Sequence, residues 1–396
     1  MMTSSRPNLT LLLILGALMA CTSLSTDIYL PAMPTMAKEL QGNTELTITG
    51  FLIGFAIAQL IWGPISDRIG RKIPLFIGMA LFAVGSVGCA LSQSMAEIVF
   101  WRVFQAVGAC VGPMLSRAMI RDLYDRSQAA QMLSTLTIIM AAAPIIGPLL
   151  GGLLLKISSW QAIFWLLVVI GILLFLSIIK LPETLPPAKR AAGSFWSAFG
   201  NYRILLKNRA FMRYTLCVTF FYVAAYAFIT GSPFVYIDYF KVDPQYYGFL
   251  FGVNIVGVAL LSAVNRRLVR HYPLESLLRV STMIALCAVL ILVVLVFMDL
   301  DGIAGILSVA VPIFIMFSMN GIIAACTNAM ALDSVQPEIA GSAAALLGSL
   351  QYGSGILSSL LLAYFSDGTP HTMAWIIALF VGLCAVIGWG QRPRSA

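Results

Sequence analysis

Apolar runs long enough to cross a hydrocarbon core of ~30 Å, at 1.5 Å of rise per residue, recur along this chain about twelve times. No other feature constrains the fold as strongly. A segment in lipid must satisfy its own backbone N–H and C=O groups, so a chain of such runs folds as a bundle of membrane helices. The runs cover residues 9–33, 46–65, 74–92, 96–119, 130–155, 160–179, 211–231, 247–264, 274–298, 302–330, 339–365 and 374–389. Charge agrees with them. Charged residues make up 10% of the chain, against about a quarter in a soluble domain, too few to cover a water-facing surface. Arg6, the following apolar run and Leu18–Cys21 loosely resemble a lipoprotein signal, but Met19 suits such a cleavage site poorly. The first run is therefore read as an uncleaved span.

The net charge of +8 would suggest a nucleic-acid partner in a soluble protein. Here its distribution argues for membrane orientation and against nucleic acid. With the N-terminus placed in the cytoplasm, nearly all Lys and Arg fall on that side. They are Arg6, then Arg68, Arg71 and Lys72, then Arg117, Arg121 and Arg126, and further along the cluster from Lys180 through Lys189 and Arg190 to Arg213. Arg266, Arg267, Arg270, Arg279, Arg392 and Arg394 complete the set, while only Lys38, Lys156 and Lys241 fall opposite and Arg102 lies within a span. By the positive-inside rule both termini are expected in the cytoplasm, with an even number of spans. The expected setting is multi-pass, in a bacterial cytoplasmic (inner) membrane, and a monomer is expected.

The longest hydrophilic stretch follows the sixth run. It divides the chain into residues 1–181, a cytoplasmic linker 182–208, and residues 209–396. The halves share a pattern: Ser66–Leu75 aligns with Asn265–Leu274, each a basic turn followed by Pro-Leu, and in the same register Pro34 aligns with Pro233. The reading is an all-α membrane protein, two pseudo-symmetric six-helix bundles related by duplication.

Several motifs carry more specific information. Gly63-Pro64-Ile65-Ser66-Asp67-Arg68-Ile69-Gly70-Arg71-Lys72 resembles the loop 2–3 signature of the major facilitator superfamily, GxLxDRxGRK, with Ile65 in place of Leu. Arg102–Ala109 resembles that family's span-four RxxQGxGA motif with Ala106 replacing a Gly, and Gly147, Pro148, Gly151 and Gly152 match the GPxxGG motif of its antiporter branch. Thr26–Pro34, Leu181–Leu185 and Gly231–Tyr236 look like the bicyclomycin/chloramphenicol-resistance (Bcr/CflA) group. The resemblance implies twelve helices, alternating access, and proton-driven export of drugs or related small molecules. It also implies an inner-gate latch of Asp67, Arg71 and Asp122, closing near Gly341 and Ser342.

Of the acidic residues only Asp27 lies clearly inside a span. A charge at membrane depth is costly and points to function. Asp27 and Arg102 each lie about seven residues from the outer end of their runs, ~10 Å deep at 1.5 Å per residue. Asp27 is the expected proton carrier and Arg102 the group that tunes it. Aromatic walls with polar handles suit amphiphilic ligands, which nominates Tyr29, Gln105, Phe220, Tyr222, Tyr226 and Asn254. Tyr246 and Tyr247 read as an interfacial belt. The seven Cys stand singly, without metal-ligand spacing. No HExxH, GxSxG or GxxxxGK[ST] occurs, so neither an enzyme nor an ATPase is expected, no cofactor is expected, and a gradient must drive transport. An exporter of a metabolite such as an amino acid or nucleoside would use the same machinery.

Overall fold

The computed structural model describes residues 9–190, 195–336 and 339–390. Arg6, Arg392 and Arg394 lie outside them, as do the side chains of Arg126 and Lys189. Among the described residues, 12 helices are long and apolar enough to cross a membrane. Spans one to six are Leu9–Glu39, Glu45–Ile69, Lys72–Leu91, Met95–Leu123, Gln131–Ile157 and Trp160–Lys180. Spans seven to twelve are Arg209–Tyr239, Pro244–Leu268, Leu274–Val296, Gly302–Asp333, Ala340–Phe365 and Pro370–Trp389.

Spans one and seven run well past the expected ends at residues 33 and 231, and proline explains both. The imide nitrogen of Pro31 cannot donate to the carbonyl of Asp27, four residues back, so the first helix stops at Asp27. One 3-10 turn, Leu30–Ala32, follows, and Met33–Glu39 resumes the helix. Pro233 closes the α-helix Arg209–Pro233, and a wider π-helical turn, Phe234–Tyr239, carries span seven onward. Pro34 and Pro233 thus both stand at breaks near corresponding ends of the two halves. They bend the spans without terminating them.

Packing repeats between the halves. In the first half, span one packs on four and five, two on four, and three on four and six. In the second, seven packs on ten, eleven and twelve, eight on ten, and nine on ten and twelve. Adding six to each number maps one set onto the other, except that seven packs extensively on twelve whereas one meets six only lightly. The two principal contacts between halves, two on eleven and five on eight, exchange under the same operation. Small residues allow these close crossings. Thr49 and Ser359 hydroxyls meet at 2.6 Å, Ser349 Oγ donates to Ala56 O at 2.9 Å, and Phe55 lies on Tyr352 with ring centroids 4.3 Å apart.

The hydrophilic connection is more than a tether. Its helix Phe195–Lys207 buries Tyr202 and Leu205, and Tyr202 donates to Leu60 O of span two at 3.3 Å. Asn201 reaches Ser342 of span eleven at 3.3 Å. Asn208 then caps span seven, its side chain accepting from Ala210 and Phe211 N–H, both at 3.1 Å.

Candidate functional site

Asp27 and Arg102 come close but do not pair. Residues two apart on a helix lie about 200° apart around its axis, and residues four apart share a face. Ser25 and Tyr29 face span four: Arg102 donates to Ser25 O at 3.0 Å, and its guanidinium lies 4.4 Å from the centroids of both Tyr29 and Phe51. It also donates to Gln105 Oε1 at 2.5 Å, and Gln105 in turn donates to Ser86 at 2.8 Å. Arg102 is fully buried in this core of the first half, with one guanidinium nitrogen unpartnered. Asp27 points the other way. Its Cβ lies beside Gly147 of span five, Thr26 Oγ1 donates to its Oδ1 at 3.0 Å, and it lies within electrostatic reach of Tyr226, Tyr247 and Tyr352 of the second half. Asp27 is 6% exposed. Equal depth, read from the sequence, therefore did not mean contact.

A cavity of about 540 Å³ opens between the halves on the face that carries Arg68, Arg71 and Arg121, here called the basic face. Phe55, Gln59, Met114, Arg117, Tyr352 and the Asp67–Arg71 turn are among its walls. The opposite face is closed. There Lys38 pairs with Asp238 at 2.9 Å, Asn43 donates to Ala363 O, and Lys156 reaches Gln245 at 3.2 Å. An ion pair as exposed as Lys38–Asp238 contributes at most ~1 kcal/mol, so closure rests chiefly on helix packing.

None of the six nominated pocket residues lines this cavity. Tyr29 and Gln105 belong to the Arg102 core, with Tyr29 bonded to Thr47 at 2.9 Å. Phe220 packs on Phe380 of span twelve. Asn254 donates to Leu250 O and Phe251 O of its own helix, leaving its Oδ1 buried and unpartnered. Tyr222 and Tyr226 come nearer, each within electrostatic reach of Tyr352. Tyr247, expected at the interface, is instead fully buried, bonded to Ser232 at 2.8 Å and packed on Phe251, while Tyr246 is exposed. The sequence reading passed over Arg117 and Tyr352. Arg117 stands among the basic residues of the cytoplasmic side, on the helix Val111–Leu123 four residues before Arg121, a spacing that puts both on one face.

The basic turn is a dense hydrogen-bonded unit. Arg71 donates to Asp67 at 2.5 Å, to Ser66 Oγ at 2.9 Å and to Asp122 at 2.9 Å, and Thr184 also donates to Asp122 at 3.0 Å. A Cβ added at Gly341 would meet nothing within 4 Å, and the Asp67 set and the start of span eleven line one cavity. Gly70 ends span two with φ +100°, a conformation costly to any residue with a side chain. A Cβ there would also collide with the Glu183 carboxylate. That carboxylate accepts from the backbone N–H of Arg71 at 2.9 Å, Lys72 at 3.1 Å and Leu185 at 3.0 Å, capping the start of span three.

Partial burial works to raise the pKa of Glu183, but the three N–H donors and Arg190 outweigh it and hold the carboxyl below its ordinary 4.5. A lowered folded-state pKa means stabilisation that is complete above the unfolded value and lost as pH falls through the folded one. Glu183→Gln is expected to destabilise the protein by less than about 1 kcal/mol at pH 7, because the site is exposed to solvent. The gap from wild type should close on acidification below pH 4.5, in thermal melts followed by tryptophan fluorescence. A pH-independent gap would show that charge is not what Glu183 contributes.

Span five explains its glycine motif by serving two neighbours. Gly147 and Gly151 lie against the Asp27–Ile28 backbone where span one breaks, and Gly151 leaves no room for a Cβ beneath Ile28 O. Gly152 faces the other way, against Pro244 of span eight. Pro148 lies within the same helix, Arg126–Ile157.

Among the described residues, twelve spans in two pseudo-symmetric halves around a cavity that opens on the basic face have the architecture of a multi-pass membrane transporter. The chain belongs to the Major Facilitator Superfamily, whose family profile matches residues 15–359. It is 36% identical over 391 residues to the uncharacterized MFS-type transporter YdgK of Bacillus subtilis, covering 97% of this chain and 95% of that one. It is 28% identical to a bicyclomycin resistance protein homolog of Haemophilus influenzae, covering 98% and 96% of the two chains. To multidrug resistance protein D of Escherichia coli it is also 28% identical, covering 95% of each. These relatives agree with the resemblance read from Thr26–Pro34. Among solved structures, the fold is shared with the nucleoside transporter NupG (TM-score 0.77, 14% identity, 97% and 98% covered). It is likewise shared with a D-xylose-proton symporter (TM-score 0.73, 15% identity, 97% of each covered).

Proposed function

We propose that this transporter exports drugs or other small amphiphilic molecules from the cytoplasm in exchange for protons, and that Asp27 carries the proton. The observation that supports this most is the position of Asp27. It is a buried carboxyl on a broken span, set against span five and within electrostatic reach of the opposing half. Glu45, the other buried acid among the described residues, begins span two and is not at membrane depth. The names of the bicyclomycin- and multidrug-resistance relatives favour drugs over a dedicated metabolite.

In this reading the basic face is cytoplasmic, both termini lie on that side, and the membrane is the bacterial inner membrane. The halves, residues 1–181 and 209–396, rock about the 182–208 connection, and the monomer is the working unit. Substrate enters the cavity while Asp27 releases its proton. Rocking then opens the opposite face, where Asp27 is reprotonated as substrate leaves. No cofactor is needed, since the proton gradient supplies the energy. The Arg102 core holds span one against span four and sets the potential around Asp27 without contacting it. In the alternate state Asp67 moves toward Gly341 and Ser342.

A susceptibility panel in an efflux-deficient host identifies exported compounds. The coupling is tested by adding such a compound to purified protein in weakly buffered solution with a pH dye. Proton release on binding is expected, and binding without any release would overturn proton exchange.

A further inference from the structure

The cavity holds a cation that the transport cycle outlined above does not use. Arg117 lies on span four, six residues before its end at Leu123, and its exposed side chain lines the cavity. The acids that line the cavity are occupied: Arg71 bonds both Asp67 and Asp122, and Thr184 bonds Asp122 again. Among the described residues no carboxylate lies within 4.0 Å of Arg117. Arg121, one turn closer to the mouth, donates to the Arg117 carbonyl at 3.3 Å and adds a second positive charge. Arg117 and Tyr352 line the same cavity, and the charge of Arg117 is felt at the Tyr222 and Tyr352 hydroxyls. The cavity wall there is aromatic, with Phe55 packed on Tyr352.

An exposed guanidinium on the wall of an open cavity, with no carboxylate partner among the described residues, is available to pair with an incoming anion. Its planar fork matches carboxylate, sulfonate or phosphate oxygens two at a time. We infer that Arg117 seats the anionic group of an aromatic amphiphile, whose ring lies against Phe55 and Tyr352. The site thus takes organic anions or zwitterions from the basic face, which rests on the transport reading for its direction. The long reach of the side chain suits a ligand group that must be released when the cavity turns outward.

Two dyes of one scaffold and opposite charge test this on the purified protein in phosphatidylcholine nanodiscs, which carry no anionic lipid. Fluorescein is the anion and rhodamine 6G the cation, and binding is read by anisotropy. Wild type is expected to bind fluorescein. Losing a charge-assisted pair typically weakens binding on the order of tenfold to a hundredfold. Arg117→Gln should therefore lower the ratio of fluorescein to rhodamine affinity by at least about tenfold, while Arg117→Lys recovers part of it. Absence of fluorescein binding in wild type would overturn the inference. So would an unchanged ratio in Arg117→Gln, including equal loss of both dyes, which a merely structural role would give. Proton release on binding reads the exchange reading independently, so the two can fail separately.

Discussion

Asp27→Asn should reduce pH-gradient-driven efflux to the level left by a protonophore, while the protein still expresses, folds and binds substrate. Asparagine nearly matches aspartate in volume but cannot exchange a proton near neutral pH. Its side-chain oxygen can still accept from Thr26 Oγ1, the hydrogen bond that the Asp27 carboxyl makes among the described residues. The packing of span one against Gly147 and Gly151 involves the Asp27 Cβ and the Ile28 backbone, which the substitution leaves in place. The loss should therefore appear in coupling and not in stability. In proteoliposomes, movement of substrate down its own gradient should persist, and acceleration by an imposed pH gradient should vanish. Wild-type acceleration in the variant would show that Asp27 is not the proton carrier.

Gly151→Val should abolish transport by a different route. The Cβ of any residue at this position would fall on Ile28 O, a backbone atom held by the proline break one turn on. No rotamer can relieve a clash at Cβ, so span five must move away from span one. Overpacking of this kind costs ~1–3 kcal/mol. Span five also carries Gly152 against Pro244, so the displacement would be passed to the contact with the second half. A drop in melting temperature together with loss of efflux is expected. Gly382→Ala is the control: it lies in span twelve where an added Cβ meets nothing within 4 Å, and should be neutral or stabilising by up to ~1 kcal/mol. Wild-type activity and melting temperature in Gly151→Val would show that spans one and five separate easily.

Much of this was legible before any coordinates. The span count needed only the length of apolar runs, and the GxxxDRxGRK turn was visible as a pattern. Its glycine could be assigned to a turn, but the Glu183 carboxylate occupying the space beside Gly70 could not. That contact joins residues more than a hundred positions apart. The six nominated pocket residues were chosen as polar or aromatic and mid-span, and those criteria carry no information on which way a side chain faces. Tyr29 and Gln105 satisfy them from within a packed core, and Tyr247 was misplaced for the same reason.

The scarcity of charge along the twelve runs, and the concentration of basic residues on one side, are consequences of transfer energies that act residue by residue, so the sequence alone determined them. It also identified Asp27 and Arg102 as the unusual charges, because insertion cost depends on depth and depth follows from counting. What only the tertiary structure decided is direction. Rotation about a helix axis is set by packing against neighbours distant in the chain, and it turns Arg102 into the first half, Asp27 toward the second, and Arg117 into the cavity between them.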